Sequence, residues 1–155
     1  MTVEPPLVLG IETSCDDTAC ALVDGRGRVL TSVVSSQLAA HRPYGGVVPE
    51  IASREHLQSW PHVSREAFER AGFAMADVGA VAATRGPGLV GALLVGLSLG
   101  KAIAWARDLP FFAVHHLEGH LYSPFLAETG AETPPPAPPE RFTGLILSGG
   151  HSGLY

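Results

Sequence analysis

Two histidines four residues apart, His116 and His120, are the sharpest chemical feature of the chain. At i and i+4 on a helix they share one face about one turn apart, a spacing that suits two ligands of one metal ion. In a zinc-peptidase helix the glutamate directly follows the first histidine. Here Glu118 stands two places on, roughly 200° around the helix from His116 by helical pitch. That order does not fit a peptidase general base. Two ligands also fall short of a catalytic set, which needs at least a third, and no third is obvious nearby. The alternative is structural, with one histidine capping the helix start and the other packing.

Three polar turns carry further chemistry. Glu12, Thr13, Ser14, Cys15, Asp16 and Asp17 lie between two apolar strands. Backbone N–H groups and hydroxyls in such a turn can meet phosphate, and carboxylates there can hold a metal-bound nucleotide. A plain hairpin that uses Asp16 and Asp17 for conformational reasons is the competing reading. Cys15 has no neighbouring base in sequence to make it a nucleophile, whereas Cys20 alternates with strand neighbours and reads as core. Thr84-Arg85-Gly86-Pro87-Gly88-Leu89 is a glycine loop between strand and helix. It is either an anion-binding helix start or a turn that needs glycine, and it lacks the ending of a P-loop. Leu147-Ser148-Gly149-Gly150-His151 places a glycine pair between strands, either to admit a ligand to the backbone or to make a hairpin. The polar run Ser53-Arg54-Glu55-His56 reads as a solvated face.

The elements that must position these residues follow from pattern. Leu7–Thr13, Thr18–Val23 and Val29–Val34 read as a three-strand meander, with a turn at Asp24-Gly25-Arg26-Gly27. His41–Pro49 reads as a loop. A helix is expected over Glu50–Ala71, with Leu57, Trp60, Ala67, Phe68 and Ala71 near one face, Pro61 kinking or dividing it and Gly72 ending it. A strand at Ala80–Thr84, an apolar helix at Val90–Arg107, a strand at Phe111–Val114 and a helix at Leu117–Glu128 come next. Glycines 91, 96 and 100 cost helix propensity, on the order of 1 kcal/mol each, which close packing would justify. Thr129–Glu140, with five prolines, reads as an extended excursion. Strands at Phe142–Leu147 and His151–Tyr155 close the chain. Strands alternating with helices after a meander give an α/β sheet of mixed direction. The last strand has no closing element, so the chain reads as truncated.

The totals set outer bounds. The 155 residues fit one domain, 46% apolar and 16% charged, which is a globular composition. The net charge of −5 argues against unaided nucleic-acid binding, so a nucleic-acid partner would need a local patch, a missing segment or another subunit. Two cysteines make no disulfide framework, and the N-terminus lacks the pattern of a signal peptide. A soluble, cytoplasmic protein with no membrane span is expected.

Five segments, in order, resemble the tRNA N6-adenosine threonylcarbamoyltransferase family in its bacterial branch. They are GIETSCDDTACALVD, GGVVPEIASREH, ATRGPGLVGALLVGLSLGKA, HHLEGH and LSGGHS. The resemblance implies an actin-like ATPase or sugar-kinase-like (ribonuclease H-like) fold of two lobes, residues 1–155 forming the N-terminal one and the C-terminal lobe being absent. It implies that His116 and His120 ligate one divalent metal, iron(II) first and zinc as alternative, with the third ligand an Asp of the missing lobe. It implies that Leu147, Ser148, Gly149, Gly150 and His151 bind substrate and that Glu12 to Asp17 form part of the active-site wall. The implied reaction is transfer of threonylcarbamoyl from threonylcarbamoyl-adenylate to N6 of the adenosine beside the anticodon in tRNA. Implied partners are an actin-like scaffold subunit, a P-loop ATPase and the adenylate-making synthase. The rival readings are a non-catalytic actin-like scaffold, an actin-like carbohydrate kinase and the metallopeptidase as which the family was once labelled.

Overall fold

A computed structural model describes residues 6–127, 133, 135–148 and 152–155. Three strands open the chain: β1 (Leu7–Glu12), β2 (Asp17–Val23) and β3 (Val29–Ser36). A short helix α1 (Leu38–His41) leads through a one-turn 3-10 helix (Arg42–Tyr44) to α2 (Pro49–Ala71). Then come β4 (Val78–Gly86), α3 (Val90–Ala106), β5 (Phe111–His115) and α4 (His116–Tyr122), with a 3-10 turn at Ser123–Phe125. A separate pair, β6 (Leu145–Leu147) and β7 (Ser152–Leu154), pairs antiparallel. The main sheet has the order β3-β2-β1-β4-β5, antiparallel across the meander and parallel where β1, β4 and β5 adjoin.

Alternation along β1 explains the layering. Leu7, Leu9 and Ile11 are buried in a core that also takes Cys20, Leu22, Val33, Val81, Trp60, Val63 and Ala104, so α2 and α3 cover one face of the sheet. Val8, Gly10 and Glu12 point to the other face and are half-buried. That second face is built small, with Gly10, Ala19, Ala21, Ser32 and Ala82 bordering a cavity of about 540 Å³ that α4 flanks with Gly119, His120 and Ser123.

Several expectations need correction. Helix α2 runs without interruption through Pro61. Pro61 and Leu57 are both exposed, so the Leu57 carbonyl, which Pro61 cannot serve, lies on the side where water can. Leu57 belongs to the outer face, while Ala52, His56, Ser59, Trp60, Val63 and Ala67 form the buried stripe. The segment His41–Pro49 begins and ends in helix. The helix after β5 is shorter than its apolar pattern implies and passes into a 3-10 turn containing Pro124. The last two strands are three residues each. Of the proline-rich stretch, the described residues 133 and 135–140 carry no helix or strand, and 129–132 and 134 lie outside the described residues.

The glycines of α3 are explained by contact. A Cβ on Gly96 would overlap the Thr13 hydroxyl, one on Gly91 would meet the Ser53 hydroxyl, and one on Gly100 would meet Phe111 at 2.9 Å and Ala83 at 3.3 Å. Thr13 Oγ1 donates to the Ala92 carbonyl at 2.8 Å and accepts from the Gly96 amide at 3.1 Å. Those two backbone groups stand in the i, i−4 relation of a helical hydrogen bond, so the hydroxyl pins α3 to the end of β1. Gly96→Ala should therefore cost about 1–3 kcal/mol in urea unfolding, from overpacking and loss of this bridge. Gly46→Ala, where nothing lies within 4 Å, should change stability little.

Candidate metal and acyl-transfer site

The C-terminal ends of the three parallel strands meet at one place, the position where open α/β sheets carry their ligands. Glu12 ends β1, Thr84 lies near the end of β4, and His116 follows β5 directly. The Glu12 carboxylate accepts from the Ser14 amide, from Thr84 Oγ1 at 2.6 Å and from His116 Nδ1 at 3.3 Å. Ser14 Oγ also approaches His116 Nδ1 at 3.3 Å. Burial alone would raise the Glu12 pKa, but the hydrogen bonds from Ser14, Thr84 and His116 outweigh it and hold the carboxyl below its ordinary value. Glu12 is therefore ionised at neutral pH.

An ionised carboxylate can only accept, so it selects the His116 tautomer with the hydrogen on Nδ1. In that tautomer the lone pair is on Nε2. His120 Nε2 lies 3.1 Å from it, the two rings being edge-to-face at 89°. The carboxylate–imidazole pair is the arrangement by which metal-bound histidines are commonly oriented from behind.

The histidine that caps α4 is neither member of the pair. His115 Nδ1 accepts from the Leu117 amide at 3.2 Å, which leaves His116 and His120 to point together. Glu118 is exposed. Among the described residues no group of three His, Cys, Asp or Glu side chains gathers to hold a metal.

The turn between β1 and β2 is gathered at this site in a divided manner. Glu12 and Ser14 face His116, Thr13 is buried against α3, and Cys15 is exposed. Burial, a hydrogen bond with Asp16 and the charges of Asp16 and Asp17 push the Cys15 thiol up to about 11, so it stays protonated at neutral pH. The Asp16 carbonyl accepts from the Gln37 amide at 2.8 Å, and Asp17 begins β2. The glycine loop supports the turn: the Leu89 amide bonds the Ser14 carbonyl at 2.8 Å, and a Cβ on Gly88 would meet that same oxygen at 2.5 Å. Leu147 ends β6 and Ser148 follows it, whereas Gly149, Gly150 and His151 lie outside the described residues.

Sequence reasoning placed His41 in a loop, read His56 as solvated and passed over Gln37, yet all three are buried. His56 is fully enclosed, not part of a solvated face. The signal was available in the spacing Ala52, His56, Trp60, Val63, Ala67, which sets His56 on the inward stripe of α2. Thr84, read as part of a loop, is the second support of Glu12.

Because the Glu12 pKa is depressed in the fold, its contribution is present above the ordinary value of 4.5 and is lost as pH falls through the lower folded value. Acid unfolding of Glu12→Gln should therefore show less loss of stability below about pH 4.5 than the wild type. Equal acid sensitivity in urea titrations at several pH values would refute the strongly hydrogen-bonded carboxylate.

Residues 28–155 match the profile of a family described as TsaD: tRNA N6-adenosine threonylcarbamoyltransferase. The curated tRNA N6-adenosine threonylcarbamoyltransferase of Pelobacter propionicus is 60% identical over 149 residues, 96% of this chain and 42% of that protein. The enzyme of the same name from Desulforapulum autotrophicum is 52% identical, over 96% of this chain and 43% of its own length. The chain thus spans about two fifths of the length of these relatives. Among solved structures, YeaZ from Pseudomonas aeruginosa superposes with a TM-score of 0.54 at 27% identity, over 76% of this chain and 48% of that one. A second Pseudomonas aeruginosa structure, titled as similar to peptidase YEAZ, gives 0.55 at 26% over the same shares. The lobe is α/β and actin-like, and the chain belongs to the tRNA N6-adenosine threonylcarbamoyltransferase family.

Proposed function

We propose that this lobe supplies the two-histidine part of a metal site for moving a threonylcarbamoyl group from threonylcarbamoyl-adenylate to N6 of the adenosine beside the anticodon in tRNA. The observation that carries the reading is the convergence of His116 and His120 through Nε2, with Glu12 fixing the tautomer of His116 from behind. Two imidazole nitrogens bound to one tetrahedral ion at about 2.0–2.1 Å would stand about 3.3 Å apart, close to the 3.1 Å found. The donor set therefore fits one divalent ion, iron(II) first and zinc as alternative, with further ligands from an Asp outside this chain. A bound ion would supply Lewis-acid polarisation of the acyl oxygen.

The chain's own residues do the rest of what is assigned here. Glu12 holds a proton at His116 Nδ1, so that Nε2 keeps its lone pair for a ligand. Ser14 and Thr84 keep Glu12 ionised and in place. Leu147, Ser148, Gly149, Gly150 and His151 are assigned to substrate binding. In the transfer, the adenosine N6 forms a bond to the carbamoyl carbon, the bond from that carbon to the adenylate phosphate oxygen breaks, AMP leaves with the electron pair, and one N6 proton is lost.

Partners follow the same reading. The outer faces of α2 and α3 leave Leu57, Val90 and Leu94 exposed beside a shallow apolar groove shared with Val95 and Leu99. An exposed apolar patch of this kind marks a protein contact, and we assign it to an actin-like scaffold subunit. The net charge of −5 leaves a basic tRNA surface to be supplied by other members of the assembly, to which this reading also assigns the P-loop ATPase. No helix among the described residues is long and apolar enough to cross a membrane.

The test is a chimera in which this chain replaces the matching part of the Pelobacter propionicus relative. The chimera should transfer threonylcarbamoyl to tRNA and hold near-stoichiometric iron or zinc by elemental mass spectrometry after anaerobic purification. His116→Ala or His120→Ala should lower transfer by about 100-fold or more and release the metal. Wild-type turnover in either variant would sink the metal role.

A further inference from the structure

A buried chain of hydrogen bonds runs behind the site and ends on its turn. The Val48 amide donates to His41 Nδ1 at 3.3 Å, and His41 Nε2 meets Gln37 Oε1 at 3.1 Å. Gln37 Nε2 reaches His56 Nδ1 at 3.1 Å and the Ala52 carbonyl at 3.4 Å. Thr18 Oγ1 also reaches His56 Nδ1, at 2.7 Å, and His56 Nε2 meets the Cys15 carbonyl at 3.1 Å. Both ends of this chain have fixed polarity. A backbone amide can only donate and a backbone carbonyl can only accept. Every link between them is thereby assigned: His41 and His56 are both neutral, each with its hydrogen on Nε2, and Gln37 accepts through Oε1 and donates through Nε2. Burial disfavours the imidazolium form of His56, which agrees with the neutral assignment.

The Cys15 carbonyl at the end of this chain adjoins Ser14, whose hydroxyl touches His116 Nδ1 and whose amide holds Glu12. The opposite side of the turn is held by Thr13 in α3 and by the Leu89 amide on the Ser14 carbonyl. His56 closes the remaining side. We infer that His56 is a positioning residue for the transfer site: by donating from Nε2 to the Cys15 carbonyl it sets the turn that presents Ser14 and Glu12 to His116, and so fixes the His116 tautomer. The inference takes its functional meaning from the transferase reading above, but its geometry does not depend on that reading.

Two substitutions separate positioning from plain packing. Gln can place an amide nitrogen where imidazole Nε2 stood, whereas Asn can replace Nδ1 but is too short to reach the Cys15 carbonyl. In long-range proton–nitrogen NMR spectra of the 15N-labelled 155-residue chain at pH 7.5, wild-type His56 should show the Nε2–H form and His116 the Nδ1–H form. His56→Gln should leave His116 as Nδ1–H. His56→Asn should shift His116 toward a mixture of tautomers, with thermal unfolding confirming that both variants are folded. In the chimera, His56→Asn should lower kcat about 10- to 100-fold, as loss of a supporting contact does, and His56→Gln should restore most of it. An unchanged His116 tautomer in the Asn variant, or an equal shift in both variants, would overturn the proposal. A chimera inactive with wild-type His56 would count against the transferase reading, while the NMR result would still decide the role of His56.

Discussion

The Glu12 carboxylate is a negative charge placed where the parallel strands end, and the site is organised around keeping it charged. Burial pushes such a group toward its neutral form. Three donors from three parts of the chain oppose that: the Ser14 amide, the Thr84 hydroxyl and the His116 ring. Each comes from, or next to, a different parallel strand, so the pairing of β1 with β4 and of β4 with β5 is what brings them within reach. The carboxylate in turn decides which nitrogen of His116 carries hydrogen. Which nitrogen of His116 is left for a ligand is thus set by sheet register, through one half-buried carboxylate.

A turn with this much responsibility needs restraint on every side, and it has it. Thr13 is anchored in α3, the Ser14 carbonyl by Leu89, the Cys15 carbonyl by His56 and the Asp16 carbonyl by Gln37. Net contributions of about 1 kcal/mol per hydrogen bond are modest alone. Their directions differ, and together they leave the turn few alternative conformations. The glycines at 88 and 96 let α3 approach closely enough for two of these bonds to form. Propensity lost in the helix is recovered as precision in the turn.

The fold was legible where burial has a simple period. Alternation in β1 to β3 and the apolar run of α3 marked their elements within a residue or two, because one face of each must leave water. What escaped was polar burial. His56 sits among Ser53, Arg54 and Glu55 and looks solvated by composition, yet its spacing from Ala52, Trp60 and Val63 turns it inward. Pro61 looked like a break because a missing N–H is costly only where no water can replace it. The paired His116 and His120 were visible from an i, i+4 spacing. Their carboxylate support was not, since Glu12 is 104 residues away and no local pattern encodes a contact made by strand order.

The same carboxylate bears on the peptidase reading. A metallopeptidase general base must be free to take a proton from water and return it. Glu118, the acid nearest the pair in sequence, is exposed and out of the order that such helices use. Glu12, the acid that the fold brings to the pair, accepts hydrogen bonds from Ser14 and His116 and a short one from Thr84, and its pKa is lowered. A weakened base with its lone pairs engaged is well suited to holding an imidazole and poorly suited to shuttling protons. The geometry thus favours a site whose acid serves orientation, leaving bond exchange to a substrate that brings its own leaving group. That role suits the transfer proposed above, in which the acyl-adenylate would bring its own leaving group.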